Sequence, residues 1–272
     1  MKAVVGACGL TALVLYGNAW AEELLAPEIN APQVTAPVPY EWSGYHVGGS
    51  IGYGWGRADT SFAVANFPLA PISTTMNGWV AGAQVGRDWQ LSRIVLGIES
   101  DIEATGQGGA SGIGPSTVCP PRLRTCLTGS GSLDEKLPWL VTLRGRFGVT
   151  PMDRLLLYVT AGRAIAEVET DTTFTATTAL PGHPPLASAS TSSSNNALRA
   201  GWTIGLGSEW ALWDHWTAKL EVVRLDLGTA YKAVSGPMGL ASGTAGNRVT
   251  DNIARVGANY RFDLPALGFA TQ

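Results

Sequence analysis

Between Asn195 and Phe262 three segments, 198–210, 216–228 and 249–262, alternate apolar and polar residues with a period of two. The first sets Trp202, Ile204, Leu206 and Trp210 against Gly201, Thr203, Gly205, Gly207 and Glu209. The third sets Val256, Ala258, Tyr260 and Phe262 against Arg255, Gly257, Asn259 and Arg261. A turn at Leu212–His215 separates the first two, and about twenty residues precede the third. Alternation at 180° per residue specifies strands and excludes helices. It also sorts side chains by face: Gly, Thr, Arg, Asn and Glu share one side, and a continuous apolar row occupies the other.

The same pattern recurs upstream. Segment 43–56 alternates Tyr45, Val47, Ile51, Tyr53 and Trp55 with His46, Gly48, Ser50, Gly52 and Gly54. Segments 78–90, 94–104, 139–149 and 154–168 follow, giving eight predicted strands in all. The connections 57–77, 105–137, 169–196 and 229–248 are long and rich in Gly, Ser, Thr and Pro, so they read as loops. Those at 90–93, 150–153 and 212–215 are short turns. Long and short connections therefore alternate strictly. In an antiparallel meander this sends every long loop to one end and every short turn to the other. Outer-membrane barrels sort their connections in this way, whereas a soluble sandwich has no reason to. A soluble ligand-binding barrel would also put its apolar residues inside, the reverse of this pattern.

Only 14% of the 272 residues are charged, and no apolar run beyond the N-terminus reaches the length of a membrane helix. That leaves a barrel as the way across a bilayer. Residues 1–21 read as a secretory signal: Lys2, an apolar run Ala3–Tyr16, and an Ala19-Trp20-Ala21 cleavage site. Its removal leaves 17 basic against 21 acidic residues, a balance of −4 in which nothing suggests nucleic acid. Residues 22–42, with Pro27, Pro32, Pro37 and Pro39, read as an extended periplasmic linker, 43–262 as the barrel, and 263–272 as a C-terminal extension. Cys119 and Cys126 share one predicted loop of an exported chain and read as a local disulfide. A metal site is the rival, and two sulfurs with no nearby His, Asp or Glu make a poor one.

The aromatics fall into two tiers. Trp55, Trp79, Trp139 and Trp202 lie near the loop ends of their strands, and Trp42, Trp89, Trp210, Trp213, Trp216, Tyr260 and Phe262 near the turn ends. Trp79 and Trp89 are ten residues apart on one strand, roughly 25 Å of height at a tilt of about 40°, the thickness of an outer-membrane apolar band. Two aromatic girdles at the headgroup levels are expected.

The opposite face would line the lumen. It carries Glu99, Asp101, Glu103, Glu209 and Glu221 with Arg144, Arg146, Lys219, Arg255 and Arg261. An eight-stranded barrel is just wide enough for side chains to fill, so these charges should pair. Glu99 and Asp101 are expected to meet Arg144 and Arg146 across adjacent strands. Acidic pairs can serve acid–base chemistry. Here no nucleophile, metal cluster or phosphate loop accompanies them, and His46, His183 and His215 share no context. No catalytic, cofactor or metal site is expected. Two residues break the pattern: Arg163 falls on the lipid face, where a mid-bilayer arginine costs about 2–4 kcal/mol, and Asp226 does so at the top of its strand.

Taken together, Trp42-Ser-Gly-Tyr-His-Val-Gly-Gly, Gly52-Tyr-Gly-Trp-Gly56, Gly82-Ala-Gln-Val-Gly86, Gly97-Ile-Glu-Ser-Asp101, Leu143-Arg-Gly-Arg146, Gly201-Trp-Thr-Ile-Gly-Leu-Gly207, Trp216-Thr-Ala-Lys-Leu-Glu221 and Asn252–Phe262 carry a resemblance. The chain resembles the OmpA-like outer-membrane β-barrel family, in particular the porin-like surface antigens of alphaproteobacteria. The resemblance implies an all-β, eight-stranded antiparallel transmembrane up-and-down barrel in the cell outer membrane of a Gram-negative envelope. It also implies contact with outer-membrane lipid, assembly by the barrel-insertion machinery, and structural, surface-antigen or weakly pore-like roles. It sets no oligomeric state. Family barrels often end on the aromatic of the last strand, as a signal for insertion. Here Asp263–Gln272 extends past Phe262, so either the signal is read internally or the extension is a short periplasmic tail.

Overall fold

The computed structural model describes residues 40–64, 71–119, 124–235 and 242–263. The expected signal segment, most of the linker and nearly all of the C-terminal extension lie outside the described residues. Eight strands follow one another: β1 (Gly44–Val64), β2 (Ile72–Leu91), β3 (Ile94–Val118), β4 (Cys126–Met152), β5 (Leu155–Ala179), β6 (Pro185–Ala211), β7 (Trp216–Ser235) and β8 (Ser242–Phe262). Each pairs antiparallel with its sequence neighbours, and β8 pairs back onto β1 from Tyr45↔Phe262 to Val64↔Gly243, closing the barrel. Closure leaves no unpaired edge in the wall, the condition for placing strands in hydrocarbon.

Alternation decides what each face meets. Ile51, Leu206, Ile102 and Val256 point outward, and Ile51 and Leu206 are 65% and 64% exposed. Such exposure suits a lipid solvent. Trp55, Trp79, Trp89, Trp202, Trp210, Trp216 and Tyr260 bound this band as exposed rings, with Trp139 and Phe262 partly covered. Outward Arg87 at the lower edge lies over the rings of Tyr45 and Trp89, 4.7 and 5.0 Å from their centroids.

The strands are much longer than the alternation indicates. β4 and β6 run 27 residues each and β2 runs 20. At about 3.3 Å per residue and a tilt near 40°, straight strands of these lengths climb roughly 70 and 50 Å. Most of the predicted loops 57–77, 105–137, 169–196 and 229–248 are therefore strand. The physical reason is plain in Glu169–Ala179 and Leu186–Asn196. Above the apolar band water meets both faces, so the hydrophobic alternation vanishes, while Thr-rich backbone of high β-propensity keeps its ladder.

Above the upper girdle the wall divides. Pairing of β6 with β7 stops at Trp202↔Asp226, and that of β2 with β3 at Asn77↔Gly108. Beyond those points β3–β6 continue as one sheet, with ladders reaching Val118↔Leu127 and Ala179↔Pro185. β7, β8, β1 and β2 continue as another. Cys119 and Cys126 are disulfide-bonded at the tip of the first.

The interior is layered, where the sequence indicated only a charged, filled lumen. An apolar plug of Met76, Val80, Leu137, Leu140, Leu225 and Ile253 fills the upper lumen. The charged residues singled out from sequence lie below it, while Asp251 with Gln107, and Glu135 and Arg199 with Asn247, are buried within and above it. At the turn end Trp42 packs with Val95, Leu156, Tyr158 and Ala211. Trp42 is therefore not a girdle residue: it is 0% exposed, and its indole Nε1 donates to Asp153 O at 3.2 Å. No periodicity precedes it in sequence, so nothing there indicates that the chain turns inward to stopper the mouth.

Inward glycines make the room these side chains need. A methyl at Gly86 would stand 2.5 Å from the His46 ring, and one at Gly162 only 2.0 Å from Leu143 O. The latter neighbour is backbone and cannot move aside. Gly162→Val should cost about 1–3 kcal/mol by overpacking, read as a lower urea midpoint for the barrel refolded in micelles.

Candidate functional site

The mid-lumen is built from inward positions on seven of the eight strands. Arg144 on β4 sits in register with Glu99 on β3. Its Nη2 donates to Glu99 Oε1 at 2.7 Å and Asp101 Oδ1 at 3.0 Å, and its Nη1 donates to Glu221 Oε1 at 2.9 Å. Lys219 Nζ reaches Glu99 Oε1 at 2.7 Å from β7. Arg255 on β8 bonds Glu221 and Asp101 at 2.5 Å each, and also bonds Glu103. Three cations and four carboxylates thus form one group, every member of it 3% exposed or less.

A second group lies nearer the turn end. Arg146 crosses the lumen to Glu209, with Asp88 Oδ2 at 3.4 Å, and its guanidinium stands 3.8 Å from the Tyr158 ring centroid. Arg261 bonds Asp88 Oδ2 at 2.8 Å and the backbone carbonyl of Trp42. His46 links the two groups, with Nε2 3.3 Å from Glu99 Oε2 and Nδ1 3.5 Å from Asp88 Oδ2.

The expected meeting of strand-three carboxylates with Arg144 and Arg146 therefore divides. Arg144 takes both Glu99 and Asp101, whereas Arg146 registers opposite Gly97 and is drawn to Glu209, leaving Glu99 4.0 Å away. His46 and Asp88 join the network although neither was singled out from sequence. Both lie on the predicted inward rows, and that parity is the only signal of their place. His183 and His215 stay apart from it, His215 stacking on Tyr260 at 5.6 Å.

What the arrangement does chemically is join opposite walls. Arg255–Glu103, Lys219–Glu99 and Arg146–Glu209 each link strands that are not neighbours. Such pairs offset their desolvation only when fully partnered, and removal of one member strands the others. Arg144→Met would leave Glu99, Asp101 and Glu221 short of a cation, at a cost of about 3–5 kcal/mol. Addition of Glu99→Gln should then cost less than its effect alone, a coupling of about 0.5–3 kcal/mol in a double-mutant cycle of urea unfolding. Additive losses would show that the two act independently.

Comparison with known proteins agrees with this geometry. Along 268 residues the chain is 28% identical to the 31 kDa outer-membrane immunogenic protein of Brucella melitensis, covering 96% of this chain and all of that one. It is 27% identical over 237 residues to the 25 kDa outer-membrane immunogenic protein of Brucella canis, covering 87% of this chain and 86% of that protein. A 22 kDa outer membrane protein of Rhizobium leguminosarum is 25% identical over 223 residues, covering 81% of this chain and 78% of that one. The outer membrane protein beta-barrel domain matches residues 30–262, the closed barrel with the segment before it. The chain belongs to the outer-membrane β-barrel protein family and is an outer-membrane protein.

Proposed function

We propose that this barrel is a non-enzymatic envelope protein: a lumen closed to solutes anchors long β-hairpins at the cell surface. The observation that carries the reading is the set of ion pairs crossing the lumen, above all Arg255–Glu103 and Lys219–Glu99. They occupy the width through which a solute would pass, with the apolar plug stacked above and Trp42 below. Aqueous channels belong to barrels of about sixteen strands. The inward glycines, which by themselves would suggest open space, lie under Gln107, Glu103, His46 and Asp88. Display fits the names of the Brucella relatives, which call them immunogenic. It also fits the long hairpins, since outer-membrane barrels keep short turns on the periplasmic side. A closed wall ending in Phe262 suits insertion by the barrel-assembly machinery.

Two measurements test this. The refolded protein, first shown to migrate heat-modifiably on a gel, should give no reproducible single-channel steps in a planar bilayer. Reproducible small steps that change with Arg144→Ala would replace the closed lumen with a narrow pore for small solutes. On intact cells a membrane-impermeant maleimide should label the protein only after mild reduction, and the label should vanish in Cys119→Ser/Cys126→Ser. Labelling confined to broken cells would reverse the orientation.

A further inference from the structure

Three arginines on the outer surface take no part in the lumen. Arg163 on β5 and Arg224 on β7 each stand eight residues above the start of their strands, roughly 20 Å up at the usual rise and tilt. That is the upper edge of the apolar band. Arg248 on β8 lies higher and is 57% exposed. All three point outward. A guanidinium at this level lies where lipid headgroups begin and asks for an anion.

The surface there is concave. β6 and β7 part above Trp202↔Asp226, and β7 bulges between Asp226 and Thr229 with Gly228 at φ +68°. The gap is a cleft of about 370 Å³ lined by Arg163, Ala200, Trp202, Asp226, Thr229 and Arg248. Its one carboxylate is already engaged: Asp226 accepts Gly228 N at 2.9 Å and Arg248 Nη2 at 2.5 Å. Arg248 is thereby held at the rim. Among the described residues none accepts a hydrogen bond or ion pair from Arg163, which lines the opposite side beside Trp202. Two cations of the lining thus face one carboxylate, and Arg224 below donates to Asn252 Oδ1 at 3.2 Å.

We infer that this cleft binds the phosphorylated sugar headgroup of an outer-leaflet saccharolipid. Arg163 and Arg248 hold a phosphate between them, and the exposed face of Trp202 packs against the sugar ring. Arginine suits this work because its planar fork grips phosphate oxygens in pairs, and an indole at the interface offers both an apolar face and a polar edge. The lipid source rests on the proposed orientation, with the hairpins outside.

The test uses the full-length, heat-modifiable protein in neutral detergent. It is titrated with bisphosphorylated lipid A, with its dephosphorylated form and with inorganic phosphate, and complexes are counted by native mass spectrometry. Bisphosphorylated lipid A should bind at least about tenfold more tightly than the dephosphorylated form, and Arg163→Gln/Arg248→Gln should remove about that factor. Arg163→Gln alone, at an exposed residue, gives the same reading with part of the loss if the double variant fails to refold. Arg87→Gln at the opposite girdle should change nothing. Equal affinity for the two lipids, or for wild type and variants, overturns the inference. Inorganic phosphate competing at the same arginines would overturn the lipid source. Loss of the lipid preference with normal surface labelling defeats the cleft alone, whereas failed labelling defeats the display reading.

Discussion

Everything in this molecule depends on the ladder that joins β8 to β1. A peptide group in hydrocarbon has no water to turn to, and an open sheet would leave a row of them unpaired at several kcal/mol each. Closure of eight strands satisfies them all and at once fixes the other choices. One face of every strand must be apolar for the lipid, and the other must fill a bore about two side chains wide. Tryptophans then settle where the solvent changes from lipid to water.

The filling of that bore shows how polar groups are kept dry. Five cations and six carboxylates, including Asp88 and Glu209, sit within a few ångströms of one another below an apolar layer. Glycine opposite a long polar residue recurs: Gly86 under His46, Gly82 under Glu103, Gly97 under Asp88. Each glycine removes a side chain so that its neighbour can reach across. The lattice and the glycines are therefore one device, and neither packs without the other.

Strand existence, order and facing were legible in the sequence because the membrane makes the two faces chemically opposite. Ile204 and Thr203 announce their sides without help from any distant residue. The upper extensions were not legible, for the same reason inverted: in Thr172–Thr178 both faces meet water, and strand and loop look alike. Pairings across the bore were equally hidden. That Arg146 meets Glu209 rather than Asp101 follows from barrel stagger, a property of the closed ring and not of any two segments. Of the cleft only Arg163 and Asp226 were visible, as violations of the pattern, and Asp226, expected on the lipid face, is buried where β7 bulges. Only the parting of β6 from β7 gives those violations a shared place.

Trp42 has a mechanical meaning. The first described residues do not leave along the wall; they enter the mouth, where Arg261 holds the Trp42 carbonyl and Tyr40 packs edge-on against the indole at 4.9 Å. A pull on the chain at Tyr40 would therefore load this stopper before it loads any strand. Through Trp42 the load would be shared with Gln90 on β2, Asp153 in the turn after β4 and Arg261 on β8, rather than falling on the first ladder bond of β1 alone.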